Sequence, residues 1–312
     1  MPPVPDHPAV SVLIPSWNGG RYFPECLESA LGQTLRDIEI IVADNASTDG
    51  SAAVADEFAR RDGRVRVLHL DGNLGAGRAR NAAMAMARGE YLAFLDSDDR
   101  YPAPHVLEMM LARARREGAD ICGGSLLKID AASRVIDIRI PDQYFLAEGW
   151  VDYRDYQYEG GFYRFLYRRS FLRARGLSFP PYRRFQDALF CVRAMLAAGR
   201  FYAMPAFTYA YRKNHKVEVW TREKVRDHML GLRGMIGLSR EEGLDRLHYH
   251  MAKNLSDTVR YRMPWPAKYL FLSQVARAIA ALDWDVVRRQ NASNRVRVTP
   301  GKIWRGFFTS LR

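Results

Sequence analysis

The sequence lacks the features that mark disulfide-linked and secreted proteins. Only three cysteines occur among 312 residues, Cys26, Cys122 and Cys191, and none has a CxxC or Cys/His metal spacing. Each lies in an apolar-patterned stretch, so we expect reduced core thiols. The first residues carry no basic stretch followed by an apolar one. The sequence therefore predicts no secretory signal and a cytoplasmic location.

Long hydrophobic runs are also missing. The longest candidate, residues 269–282, contains Gln274 and Arg277 and is shorter than the roughly 20 apolar residues that a spanning helix needs. With 48% hydrophobic and 26% charged residues, the composition is typical of a globular protein. The length suits one large α/β domain and a smaller appendage.

Acidic residues are scarce towards the C-terminus. The net charge is +12, and residues 246–312 hold thirteen Lys/Arg against three Asp/Glu. Such a region suits an anionic membrane surface or an acidic polymer, and a solvated helical appendage is the plainer alternative. We expect no nucleic-acid partner, because the chain has no helix-turn-helix, zinc or aromatic RNA-binding signature.

Short β-branched runs alternate with helical patterns through the first hundred residues. The pattern predicts strands over 9–15, 38–43, 65–70 and 91–95, and helices over 22–33, 51–61 and 77–87. This alternation favours an α/β fold with a doubly wound, mostly parallel sheet. From residue 221 onward the pattern is helical, so we expect one domain over 1–219 and a basic helical region over 220–312.

Ligands bind such sheets at the carboxyl ends of the strands, where we expect the loops to converge on one crevice. The sharpest motif there is Asp96-Ser97-Asp98-Asp99, directly after an apolar strand. Three neighbouring carboxylates repel one another, and a Mg²⁺ or Mn²⁺ ion with oxygen ligands would offset their charge. An acidic first turn of a helix is the alternative.

Four motifs resemble family 2 glycosyltransferases in their order, spacing and residue types. They are VLIPSWN at 12–18, VADNASTDGS at 42–51, NLG with ARN at 73–81, and DSDD at 96–99. The resemblance is strong over residues 9–105 and weaker over 106–215. It implies a GT-A fold, a nucleotide-diphosphate sugar donor such as a UDP-sugar, Mn²⁺ or Mg²⁺ as cofactor, and inversion at the anomeric carbon.

The resemblance also implies roles for individual residues. Asp44 would bond the edge of the base, and Arg80 would lie near the base or phosphates, although a solvated helix face would also explain Arg80. Asp98 would bind the metal, with Asp96 and Asp99 as further ligands. The other implied contacts of the nucleotide sugar are Pro15, Ser16, Asn18, Asn45, Ser47, Asn73, Asp96 and Ser97.

A transferase of this kind also needs a general base for the acceptor hydroxyl. Asp187, in RFQDALF at 184–190, resembles the acidic motif of the family, although Gln186 stands where an acidic residue is common. An ordinary helix N-cap is the alternative. The fallback candidates are Asp142, Asp152 and Asp155.

The stretch YAYRKNH at 209–215 resembles the segment that closes over the diphosphate in this family. The resemblance implies that Arg212 and Lys213 offset the charge of the leaving group. His215 is implied as a metal ligand or phosphate donor.

Two rival functions remain at this point. A dinucleotide-binding oxidoreductase would need GxGxxG, but Arg80 stands where the third glycine belongs. A catalytically dead, membrane-associated glycan-binding or scaffolding protein is the other rival, and the presence of Asp44, Asp96, Asp98 and Asp187 counts against it. We therefore expect transfer to a hydroxyl of a cell-envelope glycan, such as lipopolysaccharide or capsule, or of a lipid-linked acceptor. We also expect peripheral contact with the inner face of the cytoplasmic membrane, and C-terminal helices that pair two subunits.

Overall fold

A computed structural model describes residues 7–213, 219–263, 267–294 and 296–309. Within them the contacts divide the chain into two compact units. The first holds the described residues of 1–156, 160–181 and 190–217, and the second those of 157–159, 182–189 and 218–312. The expected domain boundary at residue 219 stays a prediction. The contacts also group residues 157–159 and 182–189 with the C-terminal helices.

Nine strands of the described chain form one sheet, which lies in the first unit. They are β1 (Val10–Ser16), β2 (Ile38–Asp44), β3 (Val65–His69), β4 (Tyr91–Phe94), β5 (Ile121–Ile129), β6 (Val135–Asp137), β7 (Gly149–Asp152), β8 (Phe165–Arg168) and β9 (Arg200–Arg212). Their order is β3-β2-β1-β4-β8-β5-β9-β7, and β6 pairs with β5. β1 to β4 are mutually parallel, β8 is antiparallel to both its neighbours, and β9 is parallel to β5.

The helices of the first unit connect these strands, and α7 begins among residues grouped with the second unit. They are α1 (Phe23–Leu31), α2 (Ser51–Arg61), α3 (Ala76–Met86), α4 (Val106–Glu117), α5 (Tyr153–Tyr156), α6 (Arg169–Ala174) and α7 (Gln186–Ala198). Every residue of β1 and β2 is buried, as expected for central parallel strands covered on both faces. The predicted α/β class with a mostly parallel sheet is confirmed.

The rest of the described second unit is almost entirely helical. Its helices are α8 (Arg222–Glu241), α9 (Asp245–Asp257), α10 (Leu272–Ala281), α11 (Trp284–Ser293) and α12 (Pro300–Thr309), with a π-helical turn over Thr258–Arg262 and a 3-10 turn over Ala267–Phe271. Three of these helix starts are capped by polar side chains. Thr221 accepts from Lys224 N, Asp283 from Val286 N and Thr299 from Lys302 N. Among the described helices, none has the length and apolarity to cross a bilayer.

The sequence located β1 to β4 to within one residue at each end, because these strands are short runs rich in apolar and β-branched residues. It did not identify β7, β8 and β9, which lie in the aromatic stretch and the segment after it. These strands mix buried and partly exposed residues, so no continuous apolar pattern marks where they begin and end. Their boundaries depend instead on pairing with strands that are distant in the sequence. β9 matters most for the site, because its C-terminal half lies beside the acidic loop after β4.

Candidate active site

The carboxyl ends of β1, β2 and β3 place three polar residues in adjacent register. Ser16 pairs with Asp44, and Asp44 pairs with His69. Ser16 and Asp44 are buried, and the Ser16 Oγ and Asp44 Oδ1 atoms have no hydrogen-bond partner among the described residues. Because buried polar atoms in folded proteins are nearly always paired, these two oxygens indicate a ligand that supplies the missing partners.

His69 contacts the other oxygen of Asp44. Its Nδ1 atom lies 3.5 Å from Asp44 Oδ2, and its Nε2 atom lies 3.0 Å from Asp56 Oδ1. The hydrogen bond with Asp56 raises the pKa of His69, partial burial opposes this effect, and the hydrogen bond with Asp44 adds to it. The contact of His69 with Asp44 Oδ2 orients the carboxylate, and Oδ1 is left for a ligand.

The loops after β1 and β2 are hydrogen-bonded to each other. Asn18 N donates to Ser47 Oγ at 3.0 Å, and Thr48 N donates to Asn18 Oδ1 at 2.8 Å. Asn18 has a φ of 50°, a left-handed conformation that asparagine tolerates better than most residues. Asp49 accepts from both Gly20 N and Ser51 N, so it joins the loops and also serves the first turn of α2. The predicted contacts of Asn18 and Ser47 with a donor stay predictions.

Asn45 and Asn73 shape the loop that precedes α3. Asn45 Nδ2 donates to Asn73 Oδ1 at 3.0 Å, and Asn45 Oδ1 accepts from Leu74 N at 2.8 Å. Asn73 Oδ1 also accepts from Gly75 N at 3.0 Å, where Gly75 has a φ of 85°. The two amides thus hold the glycine turn in place. Their predicted contacts with a nucleotide stay predictions.

Arg80 and Asp96 form an ion pair at the carboxyl end of β4. The Arg80 Nη2 atom lies 2.5 Å from Asp96 Oδ1, and Arg80 is only 4% exposed. Its guanidinium also packs over the rings of Phe162 and Phe179. Arg78, two residues earlier, is exposed. The alternative of a solvated helix face is therefore wrong for Arg80, which offsets part of the acidic cluster.

Asp99 is held inside the fold by β9. Tyr209 Oη donates to Asp99 Oδ2 at 2.7 Å, and Arg212 N donates to Asp99 Oδ1 at 2.7 Å. Tyr209 Oη also accepts from Asp96 N at 3.1 Å. Burial, together with the charges of Asp98 and Asp96, raises the pKa of Asp99 well above its usual range. Sequence reasoning missed Tyr209, whose hydroxyl group bridges the two ends of the acidic loop.

Arg212 is buried and its side chain hydrogen-bonds the same acidic loop and the residues around it. Its Nε atom donates to Asp98 O at 2.8 Å, and its Nη1 atom donates to Asp130 O and Ser133 Oγ at 2.9 and 3.0 Å. Its Nη2 atom donates to Glu25 Oε2 at 2.6 Å, and the side chain is fully buried. The expectation that Arg212 meets a diphosphate is therefore revised, because its guanidinium group is already used to position the loop.

The residues around Arg212 bear on two further expectations. Lys213 is exposed, and its Nζ atom lies 5.0 Å from the centroid of the Tyr211 ring. Its predicted contact with the leaving group stays a prediction. His215 lies outside the described residues. Glu25, in the first turn of α1, was not singled out from the sequence, although it pairs with both Arg212 and Arg100.

Two carboxylates of the loop, Asp96 and Asp98, are partly exposed. Asp96 shares one oxygen with Arg80, whereas Asp99 is buried and both its oxygens accept protein hydrogen bonds. No group of three His, Cys, Asp or Glu side chains in the described segments could hold a metal. The predicted site of three carboxylates is thus not formed. A Mg²⁺ or Mn²⁺ ion here would need phosphate oxygens and waters as further ligands, which both ions commonly accept.

The remaining two predicted donor contacts flank these groups. Pro15 is buried next to Ser16, two residues past Leu13, where the β1–β4 pairing ends. Ser97 is also buried. Their predicted contacts with a donor stay predictions.

Asp187 lies in the first turn of α7, among residues grouped with the second unit. The helix begins at Gln186, so Asp187 is not its N-cap and that alternative is wrong. Phe185, directly before the helix, has a φ of 67°, which costs a bulky residue backbone strain. It packs closely on Gly231 of α8, where an added methyl group would lie 2.8 Å from Phe185 Cβ. Asp187 itself is partly buried, and its role as a base stays a prediction.

The fallback carboxylates lie elsewhere. Asp152 accepts from Arg154 N at the start of α5, and Asp155 is exposed within that short helix. Asp142 lies in a turn with a φ of 63°, where its carbonyl oxygen accepts from Tyr156 Oη. None of these positions gives a reason to prefer them over Asp187.

The sheet order and the polar loops at its carboxyl edge are those of the GT-A class of proteins. Residues 1–349 of S. aureus TarS, solved in complex with UDP-GlcNAc, match with a TM-score of 0.71 at 20% identity, over 89% of this chain and 83% of that one. This likeness shows the fold. The family model of glycosyl transferase family 2 matches residues 11–175, more than half of the chain. The chain belongs to glycosyl transferase family 2.

Individual relatives agree with this assignment. The putative glycosyltransferase EpsH of Bacillus subtilis is 35% identical over 212 residues, which are 66% of this chain and 61% of EpsH. Glycosyltransferase GlyG of Streptococcus pneumoniae is 36% identical over 139 residues, which are 45% of this chain and 46% of GlyG. The chain therefore spans about half to three fifths of the length of these relatives.

Proposed function

We propose that this chain is a glycosyltransferase that moves a sugar from a nucleoside-diphosphate sugar to a hydroxyl group of a glycan or a lipid-linked glycan acceptor. The observation that carries the proposal is the pair of buried, unpartnered oxygens on Ser16 and Asp44 at the carboxyl edge of the sheet. A carboxylate accepts hydrogen bonds and a serine hydroxyl can donate or accept. Together they suit the ring N–H and carbonyl groups of uracil or guanine.

Uridine is the nucleoside we favour. TarS, which shares the fold, was solved both with UDP-GlcNAc and with UDP. The donor we propose is therefore a UDP-sugar, and its base would bind beside Ser16 and Asp44. Asn45 and Asn73 would hold the neighbouring turn against the nucleoside, since their amides fix the loop before α3.

The acceptor class rests on the relatives. One is a putative teichuronic acid biosynthesis glycosyltransferase of B. subtilis, 39% identical over 34% of this chain, and another is a succinoglycan biosynthesis protein of Rhizobium meliloti, 32% identical over 67% of it. Both names refer to polysaccharides. We therefore propose that the acceptor is a growing polysaccharide of the cell envelope, free or linked to a lipid.

A divalent cation fits the acidic loop through Asp98, with Asp96 as a second ligand. When bound, Mg²⁺ or Mn²⁺ would offset the charge that develops on the diphosphate leaving group. The protein prepares the loop for this purpose. Arg80 keeps Asp96 aligned, and Tyr209 and Arg212 hold Asp99 and the Asp98 carbonyl group, so that the Asp98 carboxylate need not reorganise.

Transfer would then be a single displacement. The acceptor oxygen bonds to C1 of the sugar as the bond from C1 to the phosphate oxygen breaks, and the electron pair of that bond leaves with UDP. The configuration at C1 is inverted. Asp187 would take the proton of the acceptor hydroxyl group, because the reaction needs a carboxylate base and the resemblance to the family points to this residue.

A screen of nucleotide sugars tests the proposal. UDP-, GDP-, CDP- and dTDP-sugars are incubated with the protein, with and without Mn²⁺ or Mg²⁺, and released nucleotide diphosphate is measured. We expect slow, cation-dependent release of UDP, which is lost in Asp98→Asn and kept in the exposed control Asp71→Asn. If no donor is hydrolysed and none raises the melting temperature, the proposed function is wrong.

A further inference from the structure

Three separate segments of the second unit meet around one buried lysine. Lys268 is 1% exposed, and its Nζ atom donates to Val259 O at 2.8 Å and to Gly306 O at 3.4 Å. Lys268 lies in the 3-10 turn, Val259 in the π-helical turn and Gly306 in α12. The side chain of Arg260 also packs on the α-carbon of Gly306. The residues next to these contacts are therefore neighbours in space.

Large apolar side chains point outward from these segments and from the start of α10. Their exposed fractions run from 41% to 70%, for Tyr261, Tyr269, Leu270, Leu272 and Phe308. Trp304 stacks on Phe308, which makes that part of α12 a broad aromatic face. Single exposed apolar residues are common, but a cluster of this size on neighbouring segments indicates a surface that contacts something apolar.

The same segments carry exposed positive charge. Arg260 in the π-helical turn and Lys302 and Arg305 in α12 are exposed. In the whole sequence from residue 258 to the end, the acidic residues are Asp283 and Asp285, both at the start of α11. The partner of this surface should thus be negatively charged and apolar at once.

We propose that these eight side chains form an interfacial surface that lies on an anionic phospholipid bilayer. The name "interfacial surface" here means Arg260, Tyr261, Tyr269, Leu270, Leu272, Lys302, Arg305 and Phe308. Cations bind lipid phosphates, tyrosine rings favour the headgroup region, and leucine and phenylalanine enter the edge of the acyl layer. A soluble polyanion would use the cations alone and leave five large apolar side chains in water.

The proposal predicts that vesicle binding depends both on the cations and on the apolar side chains of the interfacial surface. Each cation near an anionic surface contributes roughly fivefold to partitioning, so removing three of them should cost on the order of a hundredfold. Removing three apolar side chains should cost at least about tenfold. Vesicle binding by this surface does not require sugar transfer, so this proposal and the proposed function can fail separately.

The experiment is sedimentation of the full chain with vesicles of phosphatidylglycerol and phosphatidylcholine, and with vesicles of phosphatidylcholine alone, without donor. The apolar test variant is Tyr269→Ser, Leu270→Ser and Phe308→Ser combined, and the charge test variant is Arg260→Gln, Lys302→Gln and Arg305→Gln combined. The matched controls remove the same number of exposed apolar or cationic groups from the first unit. They are Val135→Ser, Ile136→Ser and Leu146→Ser combined, and Arg36→Gln, Arg60→Gln and Arg193→Gln combined.

We expect the unchanged protein and both controls to sediment with anionic vesicles only, and both test variants to stay in the supernatant. Circular dichroism and the midpoint of thermal unfolding check that each variant is folded. The proposal is overturned if the unchanged protein does not bind anionic vesicles, or if controls and test variants lose binding equally. It is also overturned if the apolar test variant binds vesicles as the unchanged protein does, since net charge alone would then explain the attraction.

Discussion

Ser16 and Asp44 are register partners at the carboxyl ends of adjacent parallel strands, and each buries an oxygen atom that no described residue hydrogen-bonds. Leaving a buried polar atom unpaired costs a protein about 1–3 kcal/mol. A ligand that donates to these atoms recovers that free energy on binding. The two oxygens therefore define both where a base would sit and why it would be bound tightly.

The first prediction concerns Asp44→Asn. We expect the Kd for UDP to rise roughly tenfold to a hundredfold, because a charged acceptor is replaced by a neutral amide that His69 orients no better. Isothermal titration with UDP and Mn²⁺ measures the change. Glu57→Gln is the control, since Glu57 is an exposed carboxylate of α2. Equal affinities in Asp44→Asn and the unchanged protein would remove Asp44 from the base site.

A second prediction concerns Arg212→Lys. Lysine keeps the charge but cannot reach Asp98 O, Asp130 O and Glu25 at once, so we expect the free energy of unfolding to fall by about 2–4 kcal/mol. Urea unfolding measures it. Arg134→Lys is a matched control, because Arg134 also contacts Asp130 but is 79% exposed. If the two variants unfold at the same urea concentration, Arg212 does not clamp the loop.

The third prediction is a pH dependence that comes from the second unit. Burial lowers the pKa of His228 to about 3, and its Nε2 atom contacts Thr258 Oγ1 at 2.9 Å. An unfolded histidine has a pKa of about 6.5. The unfolded chain therefore takes up a proton as the pH falls below about 6.5, while the folded chain does not. Stability is full above that pH and is lost progressively towards pH 3, at up to about 1.4 kcal/mol per pH unit.

Urea unfolding between pH 4.5 and 7.5 measures this effect. We expect His228→Gln to flatten the fall in stability below pH 6.5, and the exposed control His105→Gln to leave it unchanged. An identical acid dependence in His228→Gln and the unchanged protein would show that other groups cause it.

The fourth prediction concerns Asp187→Asn. We expect sugar transfer to fall by about a hundredfold to ten-thousandfold, because the acceptor loses its base, while UDP binding stays within twofold. Transfer is measured with an acceptor found by screening polysaccharide and lipid-linked fractions. Glu223→Gln, an exposed carboxylate of the same unit, is the control. Wild-type transfer by Asp187→Asn would assign the base to another residue.

The sequence predicted the parallel half of the sheet and the loops at its carboxyl edge, because both depend on local patterns. Apolar runs mark β1 to β4, and the polar motifs follow them directly. It did not predict the contacts that shape the acidic loop. Tyr209 is 110 residues from Asp99, and Glu25 is 187 residues from Arg212, so no local pattern could pair them.

Residues that look alike in the sequence also differ in how deeply they are buried. Arg78 and Arg80 occupy one helix, yet only Arg80 is buried and paired with Asp96. Asp98 and Asp99 are neighbours, yet Asp99 is buried and bonded to Tyr209, whereas Asp98 is partly exposed. Sequence motifs identify such clusters, whereas the division of roles among their members depends on tertiary contacts.

The most direct test of the account is the affinity for UDP with and without Mn²⁺, compared between the unchanged protein and Asp98→Asn. The account predicts that Mn²⁺ strengthens UDP binding at least about tenfold in the unchanged protein and has no effect in Asp98→Asn. If the affinity for UDP changes neither with Mn²⁺ nor with Asp98→Asn, the proposed cation site is contradicted. No binding of UDP under any of these conditions would contradict the proposed donor.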